Sequence, residues 1–264
     1  PSWRSPKTAW KRVIAFSLWP LYASRAYVRE WRWRNYLYSR VAAYVVLSDR
    51  HVGPVLRILH GKDPKKIIVI PNPVNVSAGG FDCKEKVVLF VGRIDGNKGV
   101  DRLLDVWRIV ERDCADWRFV ICGDGPKLAD MKALTDGYKL ERVEFKGFIQ
   151  NPGPIYRQSS IFLIASGHEA FPMVLVEAMS AGCVPVAYDS FAAARDIVDD
   201  GENGLLVEPF NAIMFAAALR RLMDNDKILK SMSLKAMEKV KVFSVDVVAE
   251  AWMSLFKSIG CTLR

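Results

Sequence analysis

The sequence predicts an α/β fold in which one complete, doubly wound parallel-sheet domain follows part of another domain. From residue 40 onward, short apolar runs typical of buried strands alternate with amphipathic helical segments, which indicates parallel strands joined by helices. The alternation is complete in residues 83–243, whereas residues 1–70 contain two clear strand patterns and are expected to be the end of an N-terminal domain. Residues 71–82 combine Pro and Gly without periodicity, as a linker does, and residues 244–264 contain a final helix.

The first predicted elements precede the linker. Ala42–Leu47 is a continuous apolar run, which is the pattern of a buried strand. Ser48 and Asp49 follow it and belong to the residue types that cap helices, so we predict a helix from there to about His60. Ile67–Ile70 is the second predicted strand.

Strands and helices then alternate regularly through the rest of the chain. The predicted strands are short apolar runs, namely Lys86–Val91, Trp117–Cys122, Val143–Phe145, Ser160–Ala165, Val184–Tyr188 and Leu205–Val207. The predicted helices have apolar residues at helical spacing or Pro and Gly at their ends, namely Lys98–Glu111, Lys127–Asp136, Pro172–Ala181, Ala192–Val198, Asn211–Asp224, Asp226–Phe243 and Val245–Ile259.

The positive charge is concentrated at the start of the chain. Residues 1–40 contain nine Lys or Arg, one acidic residue and five of the eight Trp, so they account for most of the net charge of +9. The rest of the chain is nearly neutral, which argues against a nucleic-acid partner. A basic and aromatic segment favours contact with an anionic membrane surface. The alternative is a surface helix whose aromatic side chains pack against a missing partner.

The five cysteines show no CxxC motif and no metal-binding spacing, so we expect buried thiols in a reducing compartment. No apolar run is long enough to span a bilayer, and no signal peptide is recognisable. The expected location is the cytoplasm, with residues 1–40 placed peripherally on the inner face of the cytoplasmic membrane. Because the sequence begins with Pro1, we expect a processed or truncated piece of a longer protein.

Four Gly-containing loops are predicted where ligands of open parallel sheets bind, between the carboxyl end of a strand and the next helix. They are GRIDGNKG (92–99), CGDGP (122–126), KGFIQNPGP (146–154) and SGHEAFP (166–172). Glycine in such loops allows the backbone to approach a ligand closely.

The first of these loops has two cations, Arg93 and Lys98, beside the start of a helix. Together with the N–H groups of a helix N-terminus they form a site suited to a diphosphate, although the spacing is not that of a Walker loop. The alternative is that both side chains form surface ion pairs, for example with Asp95. The GDGP turn lacks the remaining features of a nicotinamide-dinucleotide fingerprint and needs no function.

Two carboxylates, Glu169 and Glu177, bracket an apolar segment. If Pro172 starts a helix, their Cα atoms lie on the order of 10 Å apart or more, too far for a pair that shares one glycosidic bond. They can instead bind hydroxyls at the two ends of an elongated ligand while helix N–H groups between them hold an anion, which describes a sugar–diphosphate–ribose. The alternative for Glu177 is a surface glutamate, but its apolar neighbours make an unpartnered carboxylate costly.

Residues 41–259 resemble the C-terminal, donor-binding half of retaining glycosyltransferases of family 4. The resemblance rests on an ordered series of motifs: VGRIDGNKG, ICGDGP, FKGF, the EX7E motif from Glu169 to Glu177, EAMSAGCVPVAY and DGENGLLVEP. It implies the GT-B fold, in which this half is a Rossmann-like domain. It also implies sugar transfer with retention of configuration, with no metal and no tightly bound cofactor, because the basic pair and the helix end stabilise the leaving diphosphate.

The resemblance assigns roles to individual residues. Arg93 and Lys98 match the basic pair that contacts the donor diphosphate, and Glu169 matches the glutamate placed against the donor sugar, so these three are the expected catalytic residues. Glu177 matches the glutamate that binds the ribose hydroxyls. The backbone N–H groups of Phe171, Met173 and Val174 match those near the sugar and phosphates of the donor. Phe148 and Ile149 match the region beside the nucleobase. His168 lies beside Glu169 and is expected to contact the ligand, whereas His51 and His60 are expected to be structural.

The sequence departs from the family pattern at two places. Ala170 replaces a common Gly, and Ala192–Ala194 replace a Gly-rich turn, which implies slightly tighter packing around the sugar. In the family, the N-terminal domain holds the acceptor and a functional histidine. Residues 1–70 resemble only the last part of that domain, so we do not expect this chain to be active alone. The last helix, within residues 244–264, matches the crossover helix that returns to the N-terminal domain in the family.

We therefore expect a glycosyltransferase of surface polysaccharide or lipopolysaccharide assembly. Its donor would be a UDP-, GDP- or ADP-sugar, its acceptor a glycan or a lipid-linked sugar. Two alternatives stay open: a nucleotide-sugar-binding module without turnover, since half of the cleft is absent, and a GT-B nucleotide-sugar epimerase, against which the EX7E pair argues.

Overall fold

The computed structural model describes residues 28–29, 31–59, 63–76 and 84–260. Most of the basic and aromatic segment, the predicted end of the first helix at His60, and the cysteines at 83 and 261 lie outside these described residues. The chain divides into two compact units, one formed by the residues up to 45 with 52–68, the other by 46–51 with the residues from 69 onward.

The N-terminal elements begin with helix α1, residues 31–40. Strand β1, Tyr44–Val46, and strand β2, Ile67–Val69, form a two-stranded sheet, which confirms both predicted strands. Between them the chain forms a 3-10 turn, Asp49–His51, and helix α2, Val52–Leu59. A second 3-10 turn, capped by the side chain of Asp63, leads into β2. Within the described residues, no helix is both long and apolar enough to cross a membrane.

A six-stranded parallel sheet forms the centre of the second unit, with the strand order β5-β4-β3-β6-β7-β8. Its strands are β3 Glu85–Val91, β4 Arg118–Cys122, β5 Val143–Gly147, β6 Ser159–Ile164, β7 Val184–Tyr188 and β8 Leu205–Val207. All six predicted strands of this series are therefore confirmed. The chain adds β4 and β5 on one side of β3 and then returns to pair β6 with its other side. This reversal of strand order creates a crevice at the carboxyl ends of β3 and β6.

Helices cover both faces of this sheet, because alternate strand residues point to opposite sides. Val88 and Phe90 of β3 belong to one buried cluster, whereas Val87 and Leu89 belong to another. The helices are α3 Val100–Val110, α4 Leu128–Tyr138, α5 Gly153–Gln158, α6 Met173–Ser180, α7 Ala194–Ile197, α8 Ala212–Met223, α9 Asp226–Lys239 and α10 Val245–Ser258. Apolar residues of α3 and α8 join the first cluster, and those of α5, α6 and α7 join the second.

Helix α5 is the one element of the sheet unit that the sequence pattern did not predict. Its six residues begin with Gly153 and Pro154, which are typical of a loop, and it is too short to show a helical period. The helices that were predicted in this unit are confirmed, and their ends differ from the predicted ends by one to a few residues. The long helix predicted from Asp226 to Phe243 ends earlier, and its last four residues form a 3-10 turn.

The described cysteines are buried thiols, as predicted. Cys114, Cys122 and Cys183 are free and buried. Burial raises the pKa of Cys122 and of Cys183 to about 11, although the neighbouring ammonium of Lys84 works against this rise at Cys183. Thiols with pKa values this high are almost entirely protonated at neutral pH, so they behave as small apolar side chains.

Lys84 joins the ends of two helices. Its Nζ atom donates to the carbonyl oxygens of Tyr156 at 2.9 Å, Ser159 at 2.7 Å and Ala181 at 2.7 Å. These carbonyls belong to the C-terminal ends of α5 and α6, where helices carry partial negative charge. One ammonium therefore satisfies orphan carbonyls of both helices and holds them together at the start of β3.

Replacing Lys84 with Met tests this junction. Lys84→Met keeps the length of the side chain but leaves three carbonyls without their charged donor, so we expect it to lower the free energy of unfolding by about 3 kcal/mol. Urea unfolding measures this. The control is Lys86→Met, which removes an exposed pair with Asp116 at 3.1 Å and should change the value by less than about 1 kcal/mol. Equal effects of the two variants would contradict the role assigned to Lys84.

Candidate functional site

Two loops meet at the crevice between β3 and β6. Residues 92–99 follow β3, and residues 165–172 follow β6. The backbone N–H of Gly167 donates to the carbonyl oxygen of Asn97 at 2.9 Å, and Asn97 Nδ2 donates to the carbonyl oxygen of His168 at 2.9 Å. The sequence analysis did not single out Asn97, because nothing in the local pattern shows that it bridges to a loop far along the chain.

The loop after β3 is shaped so that Lys98 lies at the start of α3. Asp95 Oδ1 accepts hydrogen bonds from the backbone N–H groups of Asn97 at 2.9 Å and Lys98 at 3.2 Å. Gly99 then adopts a left-handed conformation with φ of 69°, and a Cβ atom there would lie 2.3 Å from the carbonyl oxygen of Ala165. Only glycine fits at this point, so the two loops approach each other more closely than side chains would permit.

Lys98 and Glu169 form an ion pair inside the crevice. Lys98 Nζ lies 2.6 Å from Glu169 Oε1, and their side chains are 26% and 13% exposed. The structure therefore brings together two of the predicted catalytic residues, which are far apart in the sequence. A short, partly buried pair of this kind is stronger than a surface ion pair, because water screens it less.

Arg93 lies at the open side of the same loop. Its Nε atom is 3.7 Å from Asp95 Oδ2, and its side chain is 70% exposed. This is the surface ion pair considered above as the alternative for the first loop. A pair that is so long and so exposed contributes little stability, so the guanidinium can exchange Asp95 for another anion at small cost.

An apolar cavity of ≈ 350 Å³ opens beside Arg93. Its lining includes Val91, Gly92 and Cys122, together with Phe148 and Ile149 from the loop after β5. The Phe148 ring is 77% exposed, although large aromatic side chains are usually covered. A cavity with apolar walls and an exposed aromatic ring suits a flat, partly apolar ligand.

Glu177 lies on α6 and faces a second cavity, of ≈ 340 Å³, whose lining includes Asn151, Tyr156 and Met173. Its Oε2 atom accepts a hydrogen bond from Tyr156 Oη at 3.2 Å. Glu177 is therefore a half-buried, partnered carboxylate at a cavity wall, which argues against an ordinary surface glutamate. Because Glu169 pairs with Lys98 and Glu177 with Tyr156, the two glutamates belong to separate parts of the site.

Helix α6 begins between these two carboxylates. Met173 is its first residue and Pro172 its N-cap, which has no N–H group to donate. The ring of Phe171 packs edge-on against Phe243 at 5.5 Å, which fixes the chain just before the helix. The first turn, with Met173 and Val174, carries the N–H groups and the positive end of the helix dipole that favour a bound anion.

The remaining predicted positions flank the crevice. His168 is exposed and contributes its carbonyl oxygen to the loop bridge described above. Ala170 is also exposed, whereas Ala193 and Ala194 are fully buried in the second cluster. In the part of the chain that the structure describes, no three His, Cys, Asp or Glu side chains are grouped so that they could hold a metal ion.

Comparison with known proteins shows a related family and related folds. The family model described as "Glycosyl transferases group 1" matches residues 74–239. An exopolysaccharide phosphotransferase of Streptomyces coelicolor is 32% identical over 225 residues, which cover 83% of this chain and 24% of that protein. An N-acetylgalactosamine-N,N'-diacetylbacillosaminyl-diphospho-undecaprenol 4-alpha-N-acetylgalactosaminyltransferase of Campylobacter jejuni is 32% identical over 187 residues, which cover 68% of this chain and 50% of that enzyme. The chain thus spans only part of the length of these relatives.

Among solved structures, a mutant of TarM from S. aureus in complex with Fondaparinux, alpha-GlcNAc-glycerol and UDP is similar to this chain with a TM-score of 0.76. The sequences are 24% identical, and the match covers 83% of this chain and 44% of TarM. This likeness confirms the expected GT-B-type fold.

Gly123 allows the loop after β4 to lie against the loop after β3, and its substitution tests this contact. Its φ is 151°, and a Cβ atom would lie 1.8 Å from the carbonyl oxygen of Gly92. We expect Gly123→Ala to displace the loop of Arg93 and to lower the free energy of unfolding by at least about 2 kcal/mol. Amide exchange at Ile94, whose N–H donates to the carbonyl oxygen of Asp124 at 2.8 Å, should become faster.

The matched control for this substitution is Gly137→Ala in α4. A Cβ atom at Gly137 meets no atom within 4 Å, so the variant should be as stable as the parent or more stable by about 0.5–1 kcal/mol. Urea unfolding and amide exchange measure both variants. If Gly123→Ala were as harmless as the control, the packing of the two loops would not depend on this glycine.

Proposed function

Because this chain belongs to the glycosyl transferases group 1 family, we propose that it forms the donor-binding half of a retaining glycosyltransferase of family 4. The enzyme transfers a sugar from a nucleoside-diphosphate sugar to a glycan or a lipid-linked acceptor in surface polysaccharide assembly. The observation that carries the proposal is the Lys98–Glu169 pair at the point where the strand order reverses, with Arg93 and the start of α6 beside it.

The relatives support this assignment to different degrees. The Campylobacter enzyme is named for sugar transfer to a diphospho-undecaprenol acceptor, which is the type of acceptor that we propose. The Streptomyces relative is named a phosphotransferase, but this chain matches 24% of its length, so its activity is not carried over. The UDP in the TarM complex is the type of nucleotide that the proposed site would bind.

The diphosphate of the donor would lie between the loop after β3 and the start of α6. Lys98 and Arg93 would supply two cations there, and the first N–H groups of α6, at Met173 and Val174, would supply hydrogen-bond donors. Negative charge grows on the diphosphate as the bond to the sugar breaks. Preorganised cations and N–H dipoles stabilise that charge, which is how this site would accelerate the reaction.

Donor binding would exchange the partners of Lys98 and Glu169. In the present structure the ammonium and the carboxylate satisfy each other at 2.6 Å. The diphosphate would take over Lys98, and Glu169 would turn to the hydroxyls of the donor sugar. Because neither partly buried charge can be left alone without cost, the two steps depend on each other, so phosphate and sugar are bound as one unit.

The nucleoside would extend from the diphosphate towards the two cavities. The apolar cavity beside Phe148 and Ile149 would hold the nucleobase. Glu177, at the second cavity, would accept hydrogen bonds from the ribose hydroxyls. His168, exposed beside Glu169, would contact the sugar from the loop side, together with the backbone N–H of Phe171.

Nucleotide binding is the first test of this function. We expect UDP, GDP or ADP, with the corresponding nucleotide-sugars, to give saturable binding in calorimetry, and Glu177→Ala to weaken it at least about tenfold through the loss of charged hydrogen bonds. The control is Glu238→Ala, an exposed glutamate of α9 that pairs with Lys241. If no nucleotide bound, or if both variants behaved alike, the proposed donor site would be wrong.

Chromatography of the bound nucleotide-sugar separates the alternatives. Donor hydrolysis or transfer to an added acceptor supports a transferase. Because we do not expect this chain to be active alone, binding without turnover supports a nucleotide-sugar-binding module only when it is seen with a complete N-terminal domain present. Interconversion of the donor sugar supports an epimerase of the same fold.

We also propose that residues 1–40 contact an anionic membrane surface. The structure describes the end of this segment, where α1 exposes Trp33 by 57% and Tyr36 by 48%. These rings stack at 5.9 Å, and the guanidinium of Arg40 lies 4.6 Å from the centre of the Tyr36 ring. Exposed aromatic rings combined with arginines are typical of segments that lie at the level of lipid headgroups.

Liposome flotation tests the membrane proposal. We expect the chain to float with vesicles of phosphatidylglycerol but not with those of phosphatidylcholine, and to be released by salt because the attraction is electrostatic. Replacing Arg32 and Arg40 with Gln should reduce flotation several-fold, whereas replacing the exposed Lys227 and Lys257 with Gln should not. Flotation that is absent, or equally reduced by both double variants, would rule out this surface.

A further inference from the structure

We propose that Tyr156 is a positioning residue that holds the carboxylate of Glu177 in the orientation required for ribose recognition. The inference rests on the proposed function, which assigns the ribose hydroxyls to Glu177. It adds a residue that the motifs do not include, on the helix that the sequence pattern did not predict. The hydroxyl of Tyr156 donates to Glu177 Oε2 at 3.2 Å, and both residues line the same cavity.

The position of the Tyr156 hydroxyl is set by the core of the protein. Tyr156 is 3% exposed, and its ring packs edge-on against Phe162 with 6.0 Å between ring centres. Its carbonyl oxygen accepts hydrogen bonds from Lys84 Nζ at 2.9 Å and from Cys183 Sγ at 3.0 Å. A tyrosine fixed at both its backbone and its ring presents its hydroxyl at one place, whatever Glu177 does.

The hydrogen bond has a defined direction. Burial raises the pKa of Tyr156 well above its usual range, and the negative charge of Glu177 raises it further. The phenol therefore keeps its proton at neutral pH and donates, while the ionised carboxylate accepts. At 3.2 Å the bond is longer than a strong charge-assisted hydrogen bond, so Tyr156 contributes by orienting the carboxylate and not by the strength of the bond.

The hydrogen bond from Tyr156 to one carboxylate oxygen of Glu177 leaves Glu177 able to accept further hydrogen bonds from two neighbouring hydroxyls. An ionised carboxylate has about four lone-pair positions, and Tyr156 uses one of them. The remaining positions on Glu177 suit the two neighbouring hydroxyls of a ribose. A site built to bind hydroxyls discriminates strongly against an analogue that lacks them, because its own polar groups then stay unpaired. Tyr156 should therefore strengthen the binding of nucleotides that carry ribose hydroxyls. It should not change the affinity for nucleotides that lack these hydroxyls.

The experiment compares one nucleotide with and without its ribose hydroxyls. Calorimetry gives Kd for the tightest-binding member of the UDP, GDP and ADP panel and for its 2′,3′-dideoxy counterpart, on the 264-residue chain and its variants. For Tyr156→Phe we expect the ribonucleotide to bind about three- to tenfold more weakly and the dideoxy analogue to bind unchanged. Adding Tyr156→Phe to Glu177→Ala should change nothing further, because the tyrosine acts through the glutamate.

The matched control is Tyr138→Phe. Tyr138 Oη also donates to a carboxylate, that of Asp105, at 2.7 Å, but on α4 and away from both cavities. This variant should leave the affinities for both nucleotides unchanged. If Tyr156→Phe does not fold, Tyr156→Met replaces it, since methionine adapts to irregular buried space and also lacks the hydroxyl, so the same loss of ribose preference is expected.

The outcomes are distinguishable. An unchanged ribose preference in Tyr156→Phe, with binding still lost in Glu177→Ala, overturns the role of Tyr156 and leaves the proposed function intact. Equal weakening of both nucleotides by Tyr156→Phe shows a purely structural role and also overturns the inference. If the parent chain binds none of the nucleotides, the proposed function fails and this inference fails with it.

Discussion

The pairing of β6 with β3 is the constraint on which the rest of the site depends. Because the chain returns across β3 after building β4 and β5, the loops after β3 and β6 emerge side by side. Gly99 permits close contact between them, and Asn97 ties them together with hydrogen bonds. Lys98 and Glu169 can form their pair only because this topology places their loops together. Sheet order, and not the local sequence, creates the charged centre.

A second group of contacts connects the opposite side of this unit to the ligand cavities. Lys84 precedes β3 and binds carbonyls at the ends of α5 and α6. Those helices carry Tyr156 and Glu177, whose side chains meet at the cavity wall. Both glutamates of the EX7E motif are therefore held by partners from outside the motif. Glu169 is held by a cation from the loop after β3, and Glu177 by a phenol whose backbone is held by the ammonium of Lys84.

Sequence patterns were sufficient for the strands and for most of the candidate site, but not for its internal contacts. Apolar runs have a period that local sequence shows. Arg93, Lys98 and Glu169 lie in loops after strands and Glu177 lies within α6, so their placement on these elements was predictable. The pair between Lys98 and Glu169 joins residues 71 positions apart, and no local pattern encodes such a contact. Tyr156 was missed for a related reason, because α5 is a six-residue helix that begins with Gly and Pro. The GDGP turn was interpreted as needing no function, yet Gly123 permits the loops after β3 and β4 to approach each other closely.

The charges of the site determine what kind of ligand it can hold tightly. Without a donor, Lys98 already has Glu169 at 2.6 Å, so an incoming anion gains the cation only by displacing a carboxylate. A simple anion would replace the carboxylate of Glu169 as the partner of Lys98. It would leave Glu169, whose side chain is 13% exposed, as an unpaired and largely buried charge, which is costly. Under the proposed function, a nucleotide-sugar would avoid this cost, because its diphosphate would take the cation while its sugar hydroxyls would satisfy Glu169 and its ribose hydroxyls Glu177. The internal ion pair would therefore favour the intact donor over its separate phosphate and sugar components, through partner exchange and not through shape alone.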